Sequence, residues 1–512
     1  MSTEGMQVGN SIKRLVVVVM ALLLQISWVL LIFLRFNEYS TICHIAFQLV
    51  ALLLVLRIYA RYGNTAVKML WIILILTVPI LGICLYFLIG YNYASQRMRK
   101  QSVHMSQKLS EWMEPDGAIL SRLEQEDFGI ANQCRYIQNY GKYPLCQNTD
   151  VVFYPIAEEG LEAQLEELSK AEHFIFMEYF AVQDRSAFAR IREVLAERAA
   201  KGVEVRLLYD DIGSVVFINK KFIEKMKSAG IQCKVFNEVV PVLNIFMNNR
   251  DHRKLTIIDG KVGFTGGYNL ADEYFNITHP YGHWKDTGVK LTGDGVRNLT
   301  AMFLEMWNIE KESDTDFSRY FKASPYEAQE KGYVLPYGDS PLDNEYVGEN
   351  VYLNIIKEAK HKLYLATPYL VLSDEMIREL YLAAQRGVDV RIITPGIPDK
   401  KMVYKLTRSY YAPLVQRGVR IYEYTPGFIH QKQVLCDDRT AIVGTINFDY
   451  RSLYHHFENG VFLYGYKAIQ RIAEDFENLL TVSSEVTEHY GRDRSKPLRI
   501  SQCILRLIAP LL

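Results

Sequence analysis

A two-lobed α/β fold, duplicated from one unit and preceded by apolar N-terminal segments, is what the sequence predicts. Three observations carry that reading. A short pattern of His, Lys, Asp, Gly and Asn occurs twice. The strand–helix–strand succession around it also occurs twice, roughly 180 residues apart, as a duplicated unit would. The first 100 residues hold three apolar runs.

Residues 15–34 (LVVVVMALLLQISWVLLIFL) contain no charge and are flanked by Lys13, Arg14 and Arg35, a length able to cross a bilayer. No small-residue cleavage site follows, which argues against a secretory leader. Residues 44–60 form a second run, carrying Gln48 and Arg57. Residues 69–89 form a third, with Trp71 near one end and Tyr86, Tyr91 and Tyr93 near the other, placed as interfacial belts would be. Pro79 inside it is tolerable in lipid. The expectation is a transmembrane region over residues 1–100 with two or three spans; basic residues flank the runs almost evenly, so orientation stays open. A polar, helix-like neck (101–125) follows.

In the first lobe (126–320), residues 173–182 (HFIFMEYFAV) read as a buried strand and 185–201 as a helix stopped by Gly202. Residues 203–211 (VEVRLLYDD) return as a strand, with further strands near 232–236 and 255–259. The second lobe (321–494) repeats this with residues 361–370, 374–385, 386–393 and 418–422. The charged, turn-rich run 311–349 reads as the linker. The tail (495–512) alternates apolar residues with Lys496, Arg499 and Arg506, a pattern that suits a headgroup layer and packing on the globule equally.

Composition excludes several classes. The 512 residues carry 58 basic and 58 acidic side chains, without the basic excess of a general nucleic-acid binder. The 7 cysteines are scattered with no Cys-x-x-Cys pair, so free thiols are expected. His279 and His283 are separated by Pro280 and Gly282, and His455 and His456 are adjacent. Neither spacing makes a metal pair, and no metal ligand is expected.

The repeated pattern is His252-Arg253-Lys254, Asp259, Gly266-Gly267 and Asn269, then His430-Gln431-Lys432, Asp437, Gly444 and Asn447. On a strand, His and Lys two apart project from one face and can meet the same ligand. Imidazole can attack phosphorus or carry a proton near neutral pH, Lys holds a phosphate, and an Asn amide donates to a phosphoryl oxygen. Asp259 and Asp437 end their strands ahead of turns, which suggests that they brace loops.

This doubled signature resembles that of the phospholipase D superfamily, over nearly everything from about residue 130 onward. Residues 249–254 (NRDHRK), 266–274 (GGYNLADEY), 284–288 (WKDTG) and 332–341 (GYVLPYGDSP), the Val78-Pro79-Ile80-Leu81-Gly82 core and the closing Ala509-Pro510-Leu511-Leu512 resemble the bacterial cardiolipin synthases. The resemblance implies two phospholipase D-like α/β sandwich lobes facing each other across a pseudo-twofold axis, and neither metal nor cofactor. Its catalytic set would be His252, Lys254, Asp259, His430, Lys432 and Asp437, with Asn269 and Asn447 binding phosphate. In the family an acidic residue some way after each motif histidine orients its imidazole, which implies Asp286 for His252 and Glu458 for His430. The implied reaction joins two phosphatidylglycerol molecules into cardiolipin and glycerol. His252 attacks phosphorus while His430 protonates the leaving glycerol and then deprotonates the acceptor hydroxyl. Membrane phospholipids and the bilayer are the implied partners, in a bacterial plasma membrane, with no nucleic acid; an oligomer is compatible. The alternatives are a membrane-bound phospholipase D hydrolase, another phosphatidyltransferase and, at a distance, a non-catalytic scaffold on the lipid surface or a tethered nuclease.

Three departures stand out. His456 occupies the place of the Asn in the family's Arg-Ser-x-x-x-Asn-x-Glu, Asp251 precedes the first histidine where Asn is frequent, and the first apolar run is additional.

Overall fold

The computed structural model describes residues 41–61, 63–87, 93–218, 220–238, 249–322, 325–343, 345–491 and 500–511, with a few positions between 20 and 31. The first apolar run, 15–34, and the apolar residues 239–247 lie almost wholly outside the described residues.

Among the described residues, nine strands belong to the first half: β1 Thr149–Tyr154, β2 Phe174–Tyr179, β3 Glu204–Asp210, β4 Gln232–Phe236, β5 Arg250–Asp251, β6 Lys254–Ile258, β7 Val262–Gly266, β8 His283–Lys285 and β9 Gly288–Gly293. Nine more follow: β10 Tyr333–Asp339, β11 Lys362–Ala366, β12 Asp389–Pro395, β13 Arg420–Tyr424, β14 Gly427–Ile429, β15 Gln433–Cys436, β16 Thr440–Gly444, β17 His456–Tyr464 and β18 Ser483–Glu485. The first sheet is ordered β1-β9-β7-β6-β2-β3-β4. The second is β10-β17-β16-β15-β11-β12-β13, with β18 beyond β13. The two orders are the same. In each sheet the β2-β3-β4 and β11-β12-β13 neighbours run parallel and the rest antiparallel.

The central strands are buried along their whole length, as in Phe174–Tyr179 and His456–Tyr464, because helices cover the sheets and leave no wet face. Helices Ser186–Ala200 and Asp374–Gln385 each end ahead of a glycine in the left-handed region, Gly202 (φ 90°) and Gly387 (φ 95°). One apolar cluster contains Phe176, Leu255 and Val289 from the first half together with Leu363, Val434 and Phe462 from the second. The halves therefore share a core. The linker run contains β10, whose seven residues are all buried and pair antiparallel with β17.

Two short strands cross between halves. β5 pairs in parallel with the start of β17 (Arg250 opposite His456, Asp251 opposite Phe457). β14 pairs in parallel with β8 (Phe428 opposite Trp284, Ile429 opposite Lys285).

Ahead of the sheets, helix Tyr93–Leu109 and helix Gly117–Glu126 send Met105, Leu109 and Leu123 into the shared core. The tail helix Ile500–Ile508 packs on the globule, where Arg506 donates to the Ser409 carbonyl and lies 4.3 Å from the Tyr410 ring.

The apolar segments depart from expectation. Residues 44–60 fall within helix Thr41–Ala60. Residues 69–89 do not form one span but helices Thr65–Thr77 and Pro79–Leu85. Pro79 has no N–H to continue the ladder, and its ring excludes the carbonyl of the preceding turn. The second piece folds back on the first so closely that a Cβ on Gly82 would meet Ile75 Cα at 2.7 Å. Trp71 and Tyr86, expected in opposite belts, meet edge to face at 5.5 Å. Among the described residues no helix is long and apolar enough to cross a membrane.

Candidate active site

The crossing strands determine where both histidines sit. His252 follows β5, and its backbone N–H donates to Phe457 O at 2.9 Å; His430 follows β14, and its N–H donates to Lys285 O at 2.8 Å. Each histidine is thus anchored to a strand of the opposite half, one residue before that half's acid. The carboxylates consequently pair across. His252 Nδ1 lies 3.0 Å from Glu458 Oε2, and His430 Nδ1 lies 2.7 Å from Asp286 Oδ2. This corrects the pairing that the resemblance implied, Asp286 with His252 and Glu458 with His430. Both acids are fully buried.

Lys254 and Lys432 return to the backbone of their own motifs, donating to the carbonyls of His252 and His430. Lys432 Nζ is also 2.9 Å from His430 Nδ1. Asn269 accepts from Ala181 N (3.1 Å) and donates to Tyr274 Oη (2.8 Å). Asn447 is buried, and its Oδ1 finds no hydrogen-bond partner among the described residues.

Asp259 and Asp437 stand apart from this group, at the far ends of β6 and β15. For β6 that is roughly 16 Å beyond Lys254 at strand rise. Asp259 accepts from the N–H groups of Glu172, His173 and Phe174 at 2.7–2.8 Å, and Asp437 from those of Lys360, His361 and Lys362 at 2.8–2.9 Å. Counted with the catalytic set, they are instead staples that close the start of β2 and of β11.

Electrostatics follow from burial. Burial first, then the charges of Lys254, His456, Lys432 and His430, holds His252 well below the ordinary imidazole value. Burial and Lys432 bring His430 down to about 3 against the pull of Asp286. Burial brings Lys254 down to about 8 and Lys432 to about 7. The acids differ: burial drives Glu458 well above the carboxylate range despite Lys254, whereas His430 and Lys432 overcome burial at Asp286 and hold it below. Neutral imidazoles with Nδ1 turned to a carboxyl group present Nε2 for chemistry.

Several residues escaped the sequence. Thr445 donates to Glu458 Oε2; the corresponding place in the first half is Gly267, where a Cβ would meet Asp286 Oδ1 at 2.0 Å. Asn459 donates to Thr265, and Thr287 to Gln433, tying the halves at the axis. Trp284, Tyr274 and Phe428 surround His430, while Phe180 and His456 flank His252. The hydroxyl after Gly444 was a usable signal; contacts across the halves had none.

Two matched sheets, each contributing a His-x-Lys pair to one buried cluster, define a phospholipase D-like protein. The comparisons agree. The family described as "Cardiolipin synthase, PLD-like domain" matches residues 165–307 and 352–480, and one described as "Phospholipase_D-nuclease N-terminal" matches 46–90. An uncharacterized protein of Streptococcus mutans is 40% identical, covering 86% of this chain and 96% of its own. Cardiolipin synthases of Geobacillus kaustophilus and Clostridium perfringens are each 33% identical over 86% of this chain, and 88% and 93% of their own. The solved phosphatidylserine synthase of Haemophilus influenzae shares the fold with a TM-score of 0.56 and 14% identity, over 74% of this chain and 97% of its own. The chain belongs to the cardiolipin synthase family of phospholipase D-like proteins.

Proposed function

We propose that this chain is a phosphatidyltransferase that makes cardiolipin and glycerol from two molecules of phosphatidylglycerol. The observation that carries the reading is the crossed arrangement of His252 with Glu458 and His430 with Asp286, with Lys254 and Lys432 buried beside them. A phosphate diester brings negative charge, which suits the two ammonium groups and favours an imidazolium on His430 beside the Asp286 carboxylate.

The difference between the acids supports a division of labour. Glu458, which burial holds well above the ordinary carboxylate range, favours an uncharged His252 as the nucleophile. Nε2 of His252 forms the bond to phosphorus as the P–O bond to glycerol breaks; His430, entering as the imidazolium that the Asp286 carboxylate and the incoming phosphate favour, gives its proton to the glycerol oxygen and is left neutral. Asp286, held as a carboxylate, stabilises the imidazolium that His430 becomes when it then takes the proton from the acceptor's terminal hydroxyl. That oxygen attacks phosphorus, the P–N bond breaks, and His252 is restored. Lys254, Lys432, Asn269 and Asn447 hold the phosphoryl oxygens.

The reading places the reaction at a membrane. Helix Thr41–Ala60 and the hairpin that follows expose Leu49, Leu52, Leu53, Leu56, Ile73 and Leu76, an apolar surface that suits acyl chains better than water. Residues 41–87 are proposed to lie in the bilayer's apolar layer and hold the site against the lipid surface, where excluded water favours a lipid alcohol as acceptor.

The test uses the full chain in mild detergent with phosphatidylglycerol alone, following cardiolipin and glycerol by mass spectrometry. Equimolar cardiolipin and glycerol are expected, absent in His252→Ala and His430→Ala. Phosphatidic acid with glycerol would make the protein a hydrolase instead.

A further inference from the structure

His456 is the residue that departs from the family's pattern, and the crossing of β5 against β17 brings it to the nucleophile. Its ring lies 5.4 Å from that of His252. Its Nδ1 is 3.6 Å from Glu458 Oε1, the same oxygen that stands 2.9 Å from His252 Nδ1. His456 Nδ1 is buried without a hydrogen-bond partner among the described residues, and one donor atom from each of the three residues falls within a 4.8 Å span. Leaving such an atom unsatisfied is costly. Two imidazole nitrogens and one carboxylate oxygen are also a recognised ligand set for Zn2+, with a further position open to water.

We propose that His252, His456 and Glu458 form a binding site for a borderline divalent metal ion, Zn2+ or its surrogate Co2+, whose occupation switches the enzyme off. The inhibition rests on the role assigned to His252 above; the site itself does not. A metal on His252 Nδ1 puts the ring's remaining proton on Nε2, the nitrogen that must attack, and removes Glu458 from it. On His456, coordination through Nδ1 places the proton on Nε2. That displaces the contact from Arg451 Nε, which at 3.3 Å is long and costs little to lose. If Glu458 bears a proton, it releases it on ligation. Lys254 and Lys432 oppose a cation here, so the affinity expected is modest. His430 has no such company, because Trp284 stands opposite Phe428 where His456 stands opposite Arg250. The switch acts on one histidine of the two.

The experiment reads the metal before the reaction. Full-length protein in detergent, stripped with chelator, is titrated with Co2+ and watched for its visible d–d absorption, then for displacement by Zn2+. The wild type and His430→Ala are expected to give the band, and His456→Asn and His252→Ala to lose it. No band in the wild type, or a band that survives His456→Asn, would overturn the site. Cardiolipin formation is then measured with and without Zn2+. Inhibition of the wild type that is lost in His456→Asn is expected, and Zn2+ that binds at this site without slowing turnover would overturn the switch. Absence of turnover in metal-free wild type, with the band intact, would count against the reading under Proposed function and not against the site.

Discussion

Around His430 the walls are aromatic, and around His252 they are more polar. Trp284, Tyr274 and Phe428 lie 5.2, 5.3 and 5.8 Å from the His430 ring. At the same places about His252 stand His456 and Arg250, both buried, with Phe180 packed edge to face against the ring. The backbone is shared, since Phe428 opposite Trp284 corresponds to Arg250 opposite His456. Behind each histidine the acid is seated differently, Asp286 against Gly267 and Glu458 under the Thr445 hydroxyl. The same strand order therefore carries two unlike environments, and the asymmetry needed to separate nucleophile from proton carrier comes from side chains.

Replacing either histidine breaks both corners. His252→Ala and His430→Ala are each expected to lower turnover by about 10^4-fold or more, read as cardiolipin formed per minute. Sharper is the comparison of acids. Asp286→Asn removes the charge that stabilises imidazolium and is expected to cost about 10^3- to 10^4-fold in kcat. Glu458→Gln puts a neutral amide in place of a carboxyl that burial holds well above its ordinary range and should cost about tenfold. Double-mutant cycles should couple Asp286 to His430 and Glu458 to His252; coupling within each motif's own half would break the crossed picture. Gly267→Ala forces Asp286 from its place and is expected to slow turnover by about 100-fold, with little change in phosphatidylglycerol binding.

The lysines predict a pH dependence. Lys432 and Lys254 titrate at about 7 and about 8, so both hold phosphate as ammonium groups below those values and lose that charge as pH rises through them. kcat/KM should fall from about pH 7 upward, and Lys432→Arg should move the decline to higher pH. The smallest effect on chemistry is expected at the staples. Asp259→Ala should cost about 2 kcal/mol of stability, seen as a lower Tm with kcat preserved. Asp437 is held below the ordinary carboxylate value by three backbone amides that outweigh its burial. Its contribution is present above the unfolded value of about 3.9 and is lost as pH falls through the folded one. The Tm difference between wild type and Asp437→Ala should close on acidification.

Much of this was legible in the chain. The two His-x-Lys motifs, their spacing to Asn269 and Asn447, and the repeated strand–helix–strand units carry a local signal, because side-chain alternation and helix stops are local physics. Bracing by Asp259 and Asp437 could be read from their place before a turn. The crossed carboxylates could not, since spacing along the chain suggests that an acid serves its own histidine. Only the β5–β17 and β8–β14 pairings, contacts between residues over 100 positions apart, reverse that. His456 was set aside as a ligand for the same reason. The third apolar run had the composition of a span, and Pro79 in it read as tolerable. What composition does not carry is the close seat of Gly82 on Ile75, which turns the run into a hairpin.

The exchange of acids bears on how such a chain could arise. A single repeat would hold a histidine whose carboxylate partner belongs to the other copy, so alone it would lack a working pair. Two identical half-length chains, meeting about a twofold axis, would supply each other and form both pairs at once. Joining their coding sequences end to end would then keep activity through the fusion, and once the copies were joined they could drift apart, one toward Trp284 and Asp286, the other toward His456 and Glu458. Expressed as separate polypeptides, the two halves should accordingly be silent apart and recover function only when mixed.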